Sequence, residues 1–468
     1  MSEILPIVIA GLALDAYAIG RALLRHHGVS TTLFWMLAIL FVPFVGALFY
    51  LTAASPYLPR RKATRRRKAI RGAGLGPQGG EPPPDPTGLF ALCARLTELT
   101  PTTGNHLKFL GEGQQAFAAL EAGLAAAQAS IWAEYYIIKN DETGGRFLDL
   151  LIARARAGVQ VYLLFDAVGS LGLDGRRLKA LRAAGGHAEA FLPVNPLRRR
   201  WSVHLRNHRK VVVIDGQLAL TGGMNVGDEY SGRGRRHGGP HFRDAFVQVE
   251  GPAVYDLAQV FAEDWAYATD QVLPLPEQAE PLPGGSTLAV VASGPDQRQN
   301  AHALAWFTAI STARQRIWLT SPYFVPDQPT SRALIAAALR GVDVRVLLPS
   351  MPHMDVKLVG WASRGYFAPL LAAGVRVFEY GPSMLHAKTF VGDDALGFVG
   401  SANVDLRSMG LNFEVSTVVT DAAFVHTLAE RFLVDQGVST ELTLAAVRAV
   451  SVPRRLLYGA ARLWSPLL

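Results

Sequence analysis

The sequence predicts an α/β fold of two pseudo-symmetric halves, each a mixed sheet flanked by helices, behind a pair of amino-terminal transmembrane segments. Three observations predict it. Strings recur along the chain: IWAEYYIIKND at 131–141 returns as IWLTSPYFVPD at 317–327, and GVQVYLLFD at 158–166 returns as GVDVRVLLP at 341–349. The offsets agree, at 186 residues (317 less 131) and 183 residues (341 less 158), which marks a duplicated unit. Each copy also alternates alanine-rich helical runs with β-branched runs, the grammar of a sheet covered by helices. The third observation is the apolar start of the chain.

At 468 residues the chain is too long for one ordinary core and has room for several units. The stretch 31–54 contains 24 consecutive residues without a charge. At 1.5 Å per residue that is enough to cross a hydrocarbon layer of about 30 Å, so a transmembrane helix is expected there. The stretch 4–24 is as apolar but is interrupted by Asp15 and Arg21, each costing about 3 kcal/mol near the bilayer centre. A second span and an interfacial helix both remain open for it. Together these segments make residues 1–58 a membrane anchor.

A basic tract and a linker follow over 59–87, the latter reading GAGLGPQGGEPPPDPT with no apolar period. The first half then runs over 88–285 and the second over 286–440. The tail, 441–468, can place Leu456, Leu457, Ala460 and Leu463 on one helical face with Arg454, Arg455 and Arg462 elsewhere. Such a helix lies at a membrane surface or docks on its own protein, and the sequence does not choose.

The net charge of +8 points first to nucleic acid or an anionic surface, but it is local. Arg60, Arg61, Lys62, Arg65, Arg66, Arg67, Lys68 and Arg71 carry it, and 46 cations less these eight leaves 38 against 38 acids. A nucleic-acid partner is not expected of a neutral body, whereas a basic tract beside an apolar segment marks the cytoplasmic face of a membrane protein. The single cysteine, Cys93, excludes an internal disulfide framework and reads as a small core residue.

The chemistry is carried by a doubled motif. HRKVVVIDGQLALTGGMN places His208, Lys210, Asp215 and Asn225 in order, and HAKTFVGDDALGFVGSAN places His386, Lys388, Asp393 and Asn403 at the same spacing. The histidines are 178 residues apart (386 less 208). In a strand i and i+2 share a face, so each histidine and its lysine should project together, with the aspartate closing the strand at a turn. Two imidazoles, two ammonium groups and two amides at one junction suit phosphate-ester exchange. One neutral histidine attacks phosphorus, the other protonates the departing alkoxide, and lysines and asparagines stabilise the phosphoryl oxygens. Asp244 in HFRDAF and Glu414 in LNFEVS are candidates to fix the imidazole tautomers, with ordinary ion pairing the alternative. Arg198, Arg199, Arg200 and Arg206 could meet lipid phosphates or form a solvated run. His237 and His241 find no place in the scheme. No metal and no other cofactor is expected, since a lysine beside each key histidine repels a cation.

These residues resemble the paired HKD motifs of the phospholipase D superfamily. The flanking strings NHRKVVVIDG, TGGMNVGDEY, SPYFVP, GSANVDLRS and LNFEVS resemble its cardiolipin synthase branch, over nearly the whole chain. The resemblance implies two phospholipase D-like halves and transfer of a phosphatidyl group from one phosphatidylglycerol to another, with glycerol released through a phosphohistidine. It implies that His208 is the nucleophile and His386 the acid, on which the sequence alone is symmetric, and that Asp215 and Asp393 position and ion-pair within each motif. It also implies a bacterial cytoplasmic membrane, with multi-pass anchoring and the catalytic part inside. Water or another acceptor lipid such as phosphatidylethanolamine remains open, and so does the oligomeric state. Gly223 stands where many superfamily members have serine.

Overall fold

The structure, a computed structural model, describes residues 4–24, 29–51, 83, 85, 87–193, 205–233, 241–297 and 299–464. The basic tract, nearly all of the Gly/Pro linker, Arg198 to Arg200 and His237 lie outside these residues. Two units are distinct, 1–59 and 60–468.

In the first unit, helices Ile4–Leu24, Val29–Phe41 and Val45–Phe49 fold on one another around Ala18, Ala22, Trp35, Ile39, Ala47 and Tyr50. The single transmembrane helix expected over 31–54 is therefore not formed. Pro43 has no N–H to continue the helical ladder, and Phe44 turns the chain with φ of 64°. Asp15, which interrupts the first apolar stretch, accepts the backbone N–H of Phe44 at 2.9 Å and is itself buried. A carboxylate that looked like an obstacle to insertion thus caps the break in the next segment. Outer residues of this hairpin are apolar, including Ile9, Leu12, Leu37, Leu40 and Val45. No helix among the described residues is long and apolar enough to cross a membrane.

The second unit is built on one sheet of fifteen strands and two ladders of two strands each, nineteen strands in all among the described residues. Its first half supplies β1 (Thr102–Leu110), β2 (Ser130–Tyr135), β3 (Gln160–Asp166), β4 (His187–Phe191), β5 (Val211–Ile214), β6 (Leu218–Gly222), β7 (Phe242–Arg243) and β8 (Phe246–Glu250). The second supplies β9 (Ser286–Ser293), β10 (Arg316–Thr320), β11 (Phe324–Val325), β12 (Asp343–Pro349), β13 (Arg376–Tyr380), β14 (Met384–Leu385), β15 (Thr389–Gly392), β16 (Leu396–Gly400), β17 (Val404–Asp405), β18 (Glu414–Thr420) and β19 (Ser439–Leu442).

The sheet order runs β4-β3-β2-β5-β6-β8-β1 from one edge and β13-β12-β10-β15-β16-β18-β9 from the other, with β19 added outside β13. The duplication read from the strings is thus a two-fold repetition of topology. Strands β2, β3 and β4 pair in parallel, as do β10, β12 and β13, while the inner strands are antiparallel. The halves join where β1 and β9 pair antiparallel. Both copies of the first repeated string end on a helix cap: Asp141 accepts from Gly144 N and Asp327 from Thr330 N, each at 2.9 Å.

Helix Leu89–Thr97 departs from the expected partition. Although it precedes the first half, its Leu89, Phe90 and Cys93 belong to the core of the second, with Trp306, Val291 and Phe398. Continuity of the sheet across β1 and β9 lets a helix entering at the seam bury its apolar face on the far side. Cys93 is buried, and that burial pushes its thiol up to about 12.

Candidate active site

His208 and Lys210 lead into β5, and His386 and Lys388 lead into β15. They sit in extended segments ahead of the strands rather than within them, and each segment is stitched to the opposite half. His208 N donates to Phe413 O at 2.9 Å, and His386 N donates to Arg243 O at 2.7 Å. Parallel pairing of β7 with β14 continues the second contact. Residues of each half are thereby clamped beside the orienting residue of the other.

Side chains repeat this crossing. His208 Nδ1 meets Glu414 Oε2 at 3.0 Å, and His386 Nδ1 meets Asp244 Oδ2 at 2.6 Å. A carboxylate on Nδ1 holds each ring, leaving Nε2 of His208 for chemistry and Nε2 of His386 facing Lys388 Nζ at 3.2 Å. Glu414 also accepts from Ser401 Oγ at 2.5 Å, Ser408 Oγ at 2.8 Å and Asn412 Nδ2 at 3.2 Å. Burial alone would raise this carboxyl, but His208, Lys210 and the Ser401 hydroxyl bring it down to about 2. Asp244 has a leaner setting, accepting from Ala245 N at 2.7 Å. It is held below its usual value by Lys388 and His386, against its own burial.

The Gly223 and Ser401 difference now has a geometric meaning. Ser401 carries the hydroxyl that fixes Glu414, whereas a Cβ at Gly223 would stand 2.2 Å from Asp244 Oδ1. The shorter aspartate occupies the space that a side chain at 223 would need.

All four basic groups are buried. Burial drives His208 down to about 4 despite the pull of Glu414, and lowers His386 with help from Lys388. Burial also brings Lys210 to about 7 and Lys388 to about 8. Lys388 contributes to the lowering of both His208 and Lys210, so the charges of the two motifs act on one another. Lys210 Nζ donates to His208 O at 2.6 Å and lies 5.4 Å from the Tyr136 ring, which packs edge-on against His208 at 4.9 Å. Lys388 Nζ reaches His386 Nδ1 at 2.7 Å as well as the His386 carbonyl.

The remaining expected residues divide. Asp215 and Asp393 stand at the far ends of β5 and β15, at φ of 53° and 51°. Asp215 accepts from the backbone N–H groups of Gln128, Ala129 and Ser130 at 2.7–2.8 Å, and Asp393 from Arg314, Gln315 and Arg316 at 2.7–3.1 Å. Neither carboxylate has a side-chain ion pair among the described residues, so the expected ion pairing within each motif is corrected to a backbone anchor. Asn225 spends its amide on Tyr230 Oη at 2.9 Å and Ile137 N at 3.2 Å. Asn403 is buried beside Asp405, which it helps to hold down against burial.

Two arginines escaped the sequence reading. Arg209 pairs with Asp264 and donates from Nε to the Glu414 carbonyl at 3.1 Å. Arg243 pairs with Asp435 at 3.0 Å and donates to the Asp244 carbonyl. Each fixes the backbone of an orienting carboxylate. Asp264 and Asp435 sit at matching places on helices Ala253–Thr269 and Ala422–Gly437, but both arginines come from the first half. Because the donors are not duplicated, a search for repeated motifs passes over them. Among the described residues no group of three or more His, Cys, Asp or Glu could hold a metal ion.

A duplicated α/β body that brings two HxK pairs and two crossed carboxylates to the junction of its halves defines a phospholipase D-type protein. Comparison with known proteins is more specific. Residues 120–265 and 307–435 match the family model described as cardiolipin synthase, PLD-like domain, and residues 13–54 match a phospholipase D-nuclease N-terminal model. A cardiolipin synthase of Geobacillus kaustophilus is 35% identical over 457 residues, covering 95% of this chain and 90% of the relative. Cardiolipin synthase 2 of Bacillus anthracis is 36% identical over 469 residues, covering 97% and 90%. In fold, the crystal structure of phosphatidylserine synthase from Haemophilus influenzae Rd KW20 matches with a TM-score of 0.63 at 14% identity, over 81% of this chain and 100% of that one. The chain belongs to the cardiolipin synthase family of phospholipase D-like proteins.

Proposed function

We propose that this chain joins two phosphatidylglycerol molecules into cardiolipin and glycerol through a phosphatidyl-histidine intermediate. The observation that carries the reading is the pair of crossed histidine–carboxylate contacts, His208 with Glu414 and His386 with Asp244, in a member of this family. With Nδ1 engaged, His208 Nε2 attacks phosphorus. The bond from phosphorus to the glycerol oxygen breaks, and that oxygen takes its proton from His386. A hydroxyl of the second phosphatidylglycerol then gives its proton to His386 and attacks phosphorus, and the phosphorus–nitrogen bond to His208 breaks. Lys210 and Lys388 face the non-bridging oxygens and offset their growing charge. Asn225 stays tied to Tyr230 and Ile137 and Asn403 to Asp405, and Asp215 and Asp393 hold the strands.

His208 supports the nucleophilic role because its ring is neutral above about pH 4 and its carboxylate has the fuller set of donors. The apolar hairpin of residues 4–51 and the basic tract after it support attachment to the inner face of a bacterial cytoplasmic membrane. Purified protein given labelled phosphatidylglycerol should yield cardiolipin and glycerol. Phosphatidic acid as the sole lipid product would assign water as acceptor and reject the transfer.

A further inference from the structure

The carboxy-terminal helix Val452–Leu463 touches helix Lys357–Ala372 along a narrow line. Ala461 packs with Val359 and Ala362 there, and Gly365 permits the approach, since a Cβ on it would stand 3.3 Å from Arg462 Cδ. Much of the helix's apolar surface faces away. Val452, Leu456 and Leu463 form one stripe by helical spacing, with Leu456 69% and Leu463 71% exposed, and Trp464 extends it. The neighbouring stripe is Arg455, Gly459 and Arg462.

Beside that second stripe lies a cavity of about 260 Å³, bordered by Arg364, Arg448, Arg455 and Arg462 over an apolar floor that includes Val447 and Val450. No acidic side chain lines it. Arg364 is paired with Glu379 outside the cavity. Arg462 lies over the Tyr366 ring, so Arg448 and Arg455 are the arginines at the border of this carboxylate-free space that suit an anion, and their planar forks match a phosphate. Because an exposed apolar stripe runs alongside, the anion should carry hydrocarbon.

We infer that this cavity holds the phosphate of an anionic phospholipid other than the reacting one, with the acyl chains beside Leu456, Leu463 and Trp464, so that the helix fastens the catalytic body to the bilayer. The inference rests on the phospholipid reading above. Its placement suits that purpose: Asp355, just ahead of helix Lys357–Ala372, is bonded to Tyr323 at 2.8 Å and acts electrostatically on His386 and Lys388. The helix that borders the cavity therefore starts beside the catalytic junction.

The test uses the full chain carrying Leu456→Cys labelled with a solvent-sensitive fluorophore, because buried Cys93 is protected from labelling. In nanodiscs of phosphatidylcholine containing phosphatidic acid, which has no alcohol to transfer, the emission should shift to the blue relative to phosphatidylcholine alone. Arg448→Gln with Arg455→Gln should weaken the dependence on phosphatidic acid roughly tenfold or more, given the usual contribution of each cation at an anionic surface. Equal emission in both discs, or a shift that survives the double substitution, overturns the inference. A shift produced in neutral discs by inorganic phosphate also overturns it, by making the site one for soluble anions. Phosphatidylglycerol turnover does not enter this readout, so loss of turnover with the shift intact would reject the catalytic reading alone.

Discussion

Each of the two motif imidazoles, His208 and His386, is set by an acid from the other half, and burial then tunes the basic groups around it. That tuning gives a pH profile with a definite sign. His208 must be neutral to attack, so activity is lost as pH falls through about 4. His386 must be protonated to act as acid, and burial with Lys388 lowers it from the ordinary imidazole range, so activity is lost as pH rises before Lys210 and Lys388 discharge at about 7 and about 8. The profile of kcat/KM, which reports the free enzyme, should therefore be a bell whose alkaline side is set by His386, and Lys210→Arg should leave that side in place. Gly223→Ala places a methyl 2.2 Å from Asp244 Oδ1; displacing that carboxylate should lower kcat about 100-fold, measured with a thermal melt to confirm folding. The histidines and lysines were legible because their spacing is repeated. Arg209 and Arg243 were not, because their partners, Asp264 and Asp435, are remote in sequence and only tertiary packing brings them together.

Elements inherit these constraints. Strands β5 and β15 are anchored at one end by the histidine loops and at the other by Asp215 and Asp393, whose positive φ and triple backbone contacts close the turns. Asp215→Asn should cost about 2–3 kcal/mol in denaturant unfolding, since charge-assisted bonds to three N–H groups are weakened. It should leave kcat of the folded protein within a few-fold, and a collapse of kcat without a loss of stability would restore a catalytic role. Sequence spacing placed these aspartates at turns correctly but could not separate the anchoring end of a strand from its reacting end. The apolar start of the chain shows a different limit. Hydropathy counts uncharged residues, whereas the backbone responds to Pro43 and to the carboxylate of Asp15, so one long apolar run became a folded hairpin.

At the scale of the whole molecule the two-fold topology was readable from repeated strings, down to the matched strands β2 with β10 and β3 with β12. What the strings could not carry is the exchange across the seam: helix Leu89–Thr97 in the core of the second half, and Glu414 and Asp244 each serving the opposite histidine. Exchange makes the halves interdependent, so the reaction belongs to their junction and to neither alone. The direct measurement is the site of the covalent intermediate. His386→Ala protein incubated with phosphatidylglycerol, quenched in alkali and digested should show by mass spectrometry a phosphatidyl adduct on the peptide containing His208, and His208→Ala protein should show none. An adduct on His386 in the His208→Ala protein, or no adduct in either, would contradict the account.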